Sequence, residues 1–137
     1  MEVKGLLLRK YMSLMGVGAA KIDLQLPKEN YCSGETVKGV FQIEGGTVDQ
    51  RINRIDCELI RIDKVAKTES LIDSTTILTS TVINAEEESE RNFTFKIPEN
   101  LPHSTNTIVY QFRTRLSFNK GMESKDQDII TVSQMSG

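Results

Sequence analysis

Ile108-Val109-Tyr110-Gln111-Phe112-Arg113-Thr114-Arg115-Leu116-Ser117-Phe118 decides the fold. Ile108, Tyr110, Phe112, Thr114, Leu116 and Phe118 share one parity, and Gln111, Arg113, Arg115 and Ser117 share the other. Successive side chains of a strand point to opposite faces, so this is a long strand with one buried and one solvated face. The same period recurs on both sides of it. Phe93, Phe95 and Ile97 alternate up to Pro98, and Pro102 follows; neither proline can continue a ladder. Val37, Gly39, Phe41 and Ile43 oppose Thr36, Lys38, Gln42 and Glu44. Ile22, Leu24 and Leu26 alternate with Lys21, Asp23 and Gln25 until Pro27.

Ile55, Cys57 and Leu59 make another apolar face, and Ile60 and Ile62 then switch parity. That switch predicts a bulge or a strand buried on both faces. Residues 75–83 are rich in Thr, Ile and Val and read as a further strand, interrupted by Glu86, Glu87, Glu88 and Glu90. A last strand covers Asp128 to Ser133. Gly34 suits a turn that needs a permissive backbone, and Gly45-Gly46 reads as a turn tolerating positive φ. Gly39, on the inward parity, leaves room for a bulky neighbour. Seven or eight strands with turns between them and no helical crossover predict an all-β antiparallel sandwich.

Composition agrees. Val, Ile and Thr supply 34 of the 137 residues and Ala only 4, which favours strands over helices. At roughly 150 residues per domain, one domain is expected. The formal charge is −2, without the basic surplus of a nucleic-acid binder. Arg51, Arg54, Arg61, Lys64 and Lys67 interleave with Asp49, Asp56, Glu58 and Asp63, which makes a neutralised strand surface and not a phosphate track.

The first 20 residues differ from the rest. Leu7, Tyr11 and Leu14 recur at helical spacing, with Leu8, Met12 and Met15 beside them, and Gly16 and Gly18 end the pattern. Glu2, Lys4, Arg9 and Lys10 give this segment a charge of +2, against −4 for the remainder. A helical segment over 1–20 followed by a β domain over 21–137 is therefore expected. The basic amphipathic helix either packs on the domain or a second copy, or lies weakly on a membrane surface. Arg9 and Lys10 break the apolar run a signal peptide needs, and no run reaches the roughly 18 apolar residues of a membrane span. A cytoplasmic location follows, with Cys32 and Cys57 reduced and the Asn92-Phe93-Thr94 sequon coincidental.

Little points to catalysis. His103 is the only histidine and sits in the loop around Pro98 and Pro102, with no nucleophile motif nearby. Gly16-Val17-Gly18 has Lys21 where a dinucleotide fingerprint needs its third glycine. Asp126 with Asp128, or the run Glu86–Glu90, could attract a cation, but neither resembles a calcium loop, and solvated turn tips are the simpler expectation. No cofactor, metal or enzymatic activity is expected.

Several stretches in order carry a resemblance. They are Gly16-Val17-Gly18-Ala19-Ala20-Lys21-Ile22-Asp23, Ser33-Gly34-Glu35-Thr36-Val37-Lys38-Gly39 leading to Gly45-Gly46, and Phe93-Thr94-Phe95-Lys96-Ile97-Pro98. The strand Val109–Phe118 and an acidic turn, Asp126 to Val132, complete the set. The chain resembles the N-terminal half of the bacterial sporulation-control protein family, with Ser33 where the family usually has proline. The resemblance implies an arrestin-like, immunoglobulin-like sandwich and a non-enzymatic regulatory or scaffold role through protein–protein contacts. It also implies self-association, because the family pattern continues into a second sandwich. Edge strands are natural docking sites for extended partners. The Thr/Ser-rich segment 74–81 is the expected edge, with Thr75, Ile77, Thr79 and Thr81 as interaction residues beside Leu7, Tyr11 and Leu14 of the helix.

Overall fold

The computed structural model describes residues 18–134; the expected helix, with Leu7, Tyr11 and Leu14, lies outside the described residues. Eight strands are present: β1 (Lys21–Gln25), β2 (Asn30–Cys32), β3 (Thr36–Glu44), β4 (Gln50–Asp63), β5 (Thr68–Ile83), β6 (Glu88–Lys96), β7 (Ile108–Phe118) and β8 (Glu123–Ser133). The described part is all-β apart from one 3-10 turn, Asn119–Gly121. The strands form two open sheets, one ordered β1-β3-β6 and the other β2-β8-β7-β4-β5. Every pairing is antiparallel except β2 on β8, which is parallel. β2 follows the Pro27 break, where the chain crosses from the smaller sheet to the larger before returning as β3.

Both sheets contribute to one core. Ile22, Leu24, Val37, Phe41, Ile43, Phe93 and Phe95 come from the smaller sheet, and Ile55, Cys57, Leu59, Tyr110, Phe112, Leu116 and Ile130 from the larger. Phe112 of β7 meets Phe93 and Phe95 of β6 edge-on, with ring centroids 5.4 and 5.1 Å apart. Edge-to-face contacts of this kind add to area burial and lock the facing layers in one arrangement. The alternation of residues 108–118 is thus the inward face of a central strand.

The parity switch in β4 is a strand buried on both faces: β4 keeps its register with β7 through Leu59 and Ile60, and the irregularity there is an extra residue, Ile72, in β5. Ordinary alternation after the inward Leu59 puts Ile60 on the outer face, buried but outside the main core. There Ile60 pairs Gln111 of β7, and Ile62 pairs Glu69 of β5. Arg113 donates from Nε to Gln111 and from both terminal nitrogens to Glu69 at 2.9 and 2.7 Å, spanning β4 above these isoleucines. An arginine stem covering apolar surface with its head group wet explains a buried Ile on a solvated face.

The glycines need one correction. Gly34 has the expected positive φ, 83°. Gly45 and Gly46 do not; a Cβ at Gly46 would lie 2.0 Å from the Gly18 carbonyl oxygen, and one at Gly45 2.2 Å from that of Asn84. They are required for close backbone approach, not for turn conformation. At Gly39 the space is taken by the Gln25 carbonyl, 2.6 Å from a Cβ, and by Leu26 and Phe93.

Candidate functional site: two contrasting sheet edges

β5 is the longest strand and an outer strand of the larger sheet, paired only with β4. Its residues 74–82, Ser-Thr-Thr-Ile-Leu-Thr-Ser-Thr-Val, carry no charge. Thr75 and Ile77 pair the buried Cys57 and Ile55, and Ile77 packs against the core. Thr79 and Ser80 together oppose Asn53 in a bulge, and Ile72 is the extra residue of the second irregularity. Between the two, Asp73–Leu78 runs in regular register with β4.

Hydroxyls and charges finish the two ends of this edge. The Thr79 and Thr81 hydroxyls share a hydrogen bond of 2.7 Å, and Arg91 of β6 donates to Thr81 at 3.0 Å. Arg51 donates to the Ser80 carbonyl and hydroxyl at 3.1 Å. At the other end the Ser74 amide donates to the Asp73 carboxylate at 2.8 Å instead of to β4. Amides alternate in direction along a strand, so those of Thr76 and Leu78 also point to the open side. Leu78 is 76% exposed.

Thr76 fastens the strand from the outer face. Its hydroxyl donates to Asp56 at 2.7 Å, and Arg54 donates to the same carboxylate from two nitrogens at 2.8 and 2.7 Å. Burial pushes the Asp56 carboxyl up, but the Arg54 and Thr76 hydrogen bonds outweigh it and hold the group below its ordinary value.

The edge at β1 is built differently. The amides of Ala20, Ile22 and Leu24, on the side away from β3, are accepted by Gln50 Oε1 (2.7 Å), Ser124 Oγ (3.3 Å) and Asp126 Oδ2 (2.7 Å). Ser124 and Asp126 lie in β8 and are fully buried. This overturns the expectation of a solvated acidic turn at Asp126 and Asp128, because the strand starts at Glu123 and aims these side chains at β1. Asp23, Asp126 and Asp128 bring carboxylate oxygens within 4.8 Å of one another, with one Asp126 oxygen engaged by the Leu24 amide. Glu86 and Glu87 do form a turn, whereas Glu88 and Glu90 belong to β6.

His103 is exposed, and its Nδ1 accepts the Gln134 amide at 3.2 Å. Cys57 is buried, and burial, opposed by a Thr114 hydrogen bond, pushes its thiol up to about 12. A hollow of about 450 Å³ lies among Gly18, Lys21, Glu44, Gly46, Thr47 and Glu88, away from both residues. Among the described residues no helix is long and apolar enough to cross a membrane.

Thr75, Ile77, Thr79 and Thr81 therefore share one strand. Sequence periodicity did not show the outward amides beside Asp73, at Thr76 and Leu78, or the arrival of Arg51 and Arg91 from other strands. The caps of β1 did leave a signal: Ser124, Asp126 and Asp128 are polar at the inward parity of Ile130 and Val132.

Two open sheets around a common core, one edge sealed by side chains and one left open, define an all-β protein whose most distinctive surface is strand backbone. The family model described as SpoOM protein (Spo0M) matches residues 8–136, and the chain belongs to this family. It is 31% identical over 130 residues to the sporulation-control protein spo0M of Bacillus subtilis (strain 168), covering 90% of this chain and 50% of that protein. The crystal structure of Spo0M from Bacillus subtilis superposes with a TM-score of 0.78 at 31% identity, over 87% of this chain and 51% of that one. The chain thus spans about half the length of the relative it matches. A Pseudomonas fluorescens alkylpurine DNA glycosylase, AlkC bound to abasic-site DNA, matches at a TM-score of 0.50 and 10% identity, over 95% of this chain and 34% of that one. That likeness concerns fold alone. The matched relative is described as a sporulation-control protein and not as an enzyme.

Proposed function

We propose that this chain is a non-enzymatic regulatory or scaffold protein of sporulation control, built as an arrestin-like sandwich, and that it docks protein partners through the β5 edge. The family supplies the regulatory role, and the two sheets on one core support the sandwich. The observation that carries the docking surface is the uncharged run 74–82 on an outer strand, with amides at 76 and 78 directed to the open side. Natural edges are blunted by charge, proline or short length, and a long edge without them suits β-augmentation, in which main-chain bonds hold an extended partner. The protein acts in the cytoplasm on this reading.

Affinity capture from cell lysate tests it. Proline at an outward-facing edge amide removes one donor while sparing the ladder to β4. Leu78→Pro is expected to abolish capture of the partners held by the parent chain, with the circular dichroism spectrum retained. Undiminished capture by a folded Leu78→Pro variant rejects the edge. The alternative role is a peripheral membrane adaptor using the basic stretch 3–15, favoured by the charge contrast between the +2 segment 1–20 and the −4 remainder. Liposome flotation of the whole chain against a chain starting at Lys21 separates the two; equal flotation discards the segment as an anchor.

A further inference from the structure

We infer that the β5 edge pairs antiparallel with β5 of a second copy, centred on Thr76, so that self-pairing competes with partner docking for one strand. This rests on the reading of β5 as the docking edge and names one occupant. Three observations carry it. First, the open-side amides of Ser74, Thr76 and Leu78 fall within the regular segment Asp73–Leu78, between the two irregularities. A twofold axis normal to the sheet pairs residues whose numbers share parity, and centring it on Thr76 sets Ser74 opposite Leu78 of the second copy. The amides of Thr76 and Leu78 then lie in hydrogen-bonded pairs, and that of Ser74 joins them by leaving the Asp73 carboxylate. Moving the centre to Ile77 would set Ser74 against Ser80, whose carbonyl Arg51 already holds.

Second, the edge is charge-complementary to its own reverse. Asp73 stands at one end, and Arg51 and Arg91 reach the other at Ser80 and Thr81. Antiparallel pairing sets Asp73 opposite Thr79 of the second copy, one hydroxyl from Thr81 and its Arg91. Parallel pairing would bring like ends together, which is unfavourable across strands. Third, residues 74–82 between these ends are uncharged, so no like charges oppose each other at the centre.

The whole chain in solution tests this. Light scattering is expected to give a dimer, and Leu78→Pro to raise its dissociation constant at least about tenfold, the effect of losing about 1.4 kcal/mol of paired hydrogen bonding. Register is read by cysteine trapping in a Cys32→Ser background. Opposed residues of a hydrogen-bonded pair have Cα atoms about 5.5 Å apart, within the span of a disulfide. Thr76→Cys should oxidise to a covalent dimer, whereas Thr75→Cys and Ile77→Cys, which oppose each other and not themselves, should not. A strict monomer at high concentration, a dimer indifferent to Leu78→Pro, or trapping at 75 or 77 without 76 overturns the inference. A monomer that loses partner capture with Leu78→Pro overturns self-pairing and leaves edge docking standing.

Discussion

β1 and β5 are both outer strands, yet they treat the same problem in opposite ways. β1 has five residues, and the amides of Ile22 and Leu24, with that of Ala20 just before it, all find side-chain acceptors in the other sheet. β5 has sixteen residues, and within its regular segment Asp73–Leu78 it finishes one outward amide with its own Asp73 and leaves those of Thr76 and Leu78 directed at solvent. The difference is burial. Ile22 and Leu24 are almost fully buried, and a buried amide without an acceptor costs about 1–3 kcal/mol. Every outward amide of β1 must therefore be bonded within the protein. β5 stands in water, which satisfies its amides at little cost and lets a strand displace it.

Substitutions at the two edges should differ in cost. Asp126→Ala should have the largest effect, a loss of about 2–3 kcal/mol in urea unfolding, because it strands the buried Leu24 amide. Asp126→Asn keeps an acceptor and should lose less; equal losses would mean that shape and not hydrogen bonding holds the pair. Asp56→Asn should follow, at about 1 kcal/mol, since half-exposed Arg54 limits the ion pair while Thr76 ties β5 to it.

Asp56 also gives a pH dependence. Its carboxyl titrates below the ordinary 3.8 in the folded chain, so its contribution is complete above that value and is lost as pH falls through the lower, folded one. Unfolding midpoints measured from pH 6 down to pH 2 should decline more gently for Asp56→Asn than for the parent. A parallel decline would remove Asp56 from the acid response. Ser124→Ala, which loses a longer bond of 3.3 Å, should cost about 0.5–1 kcal/mol. Leu78→Lys should change stability by less than about 0.5 kcal/mol and yet weaken any strand pairing, because lysine blunts an edge. A large stability loss there would show that Leu78 is part of the core and not of a docking surface.

How much of this was legible follows from the periods involved. Tyr110, Phe112, Leu116 and Phe118 declare the inner face of β7 because side-chain direction alternates with sequence number, and the parity switch at Ile60 declares a stretch of β4 buried on both faces for the same reason. The three-residue β2 and its parallel pairing leave no period to read. Asp126 illustrates a different failure. Polar residues between apolar runs usually mark loops, and only the third dimension shows that Asp126 faces an edge strand of the opposite sheet. The uncharged outer strand was visible as composition at 74–81, but which amides face outward, and the arrival of Arg51 and Arg91, depend on register and packing.

The thiol of Cys57 turns the core into its own clock. A thiol pushed up to about 12 and sealed between the sheets is almost never the reactive thiolate at neutral pH, while half-buried Cys32 stands near the surface. An alkylating reagent should therefore mark Cys32 promptly and Cys57 only when the two layers part. The lag between the two labels measures, in one tube and without a denaturant, how often this molecule opens.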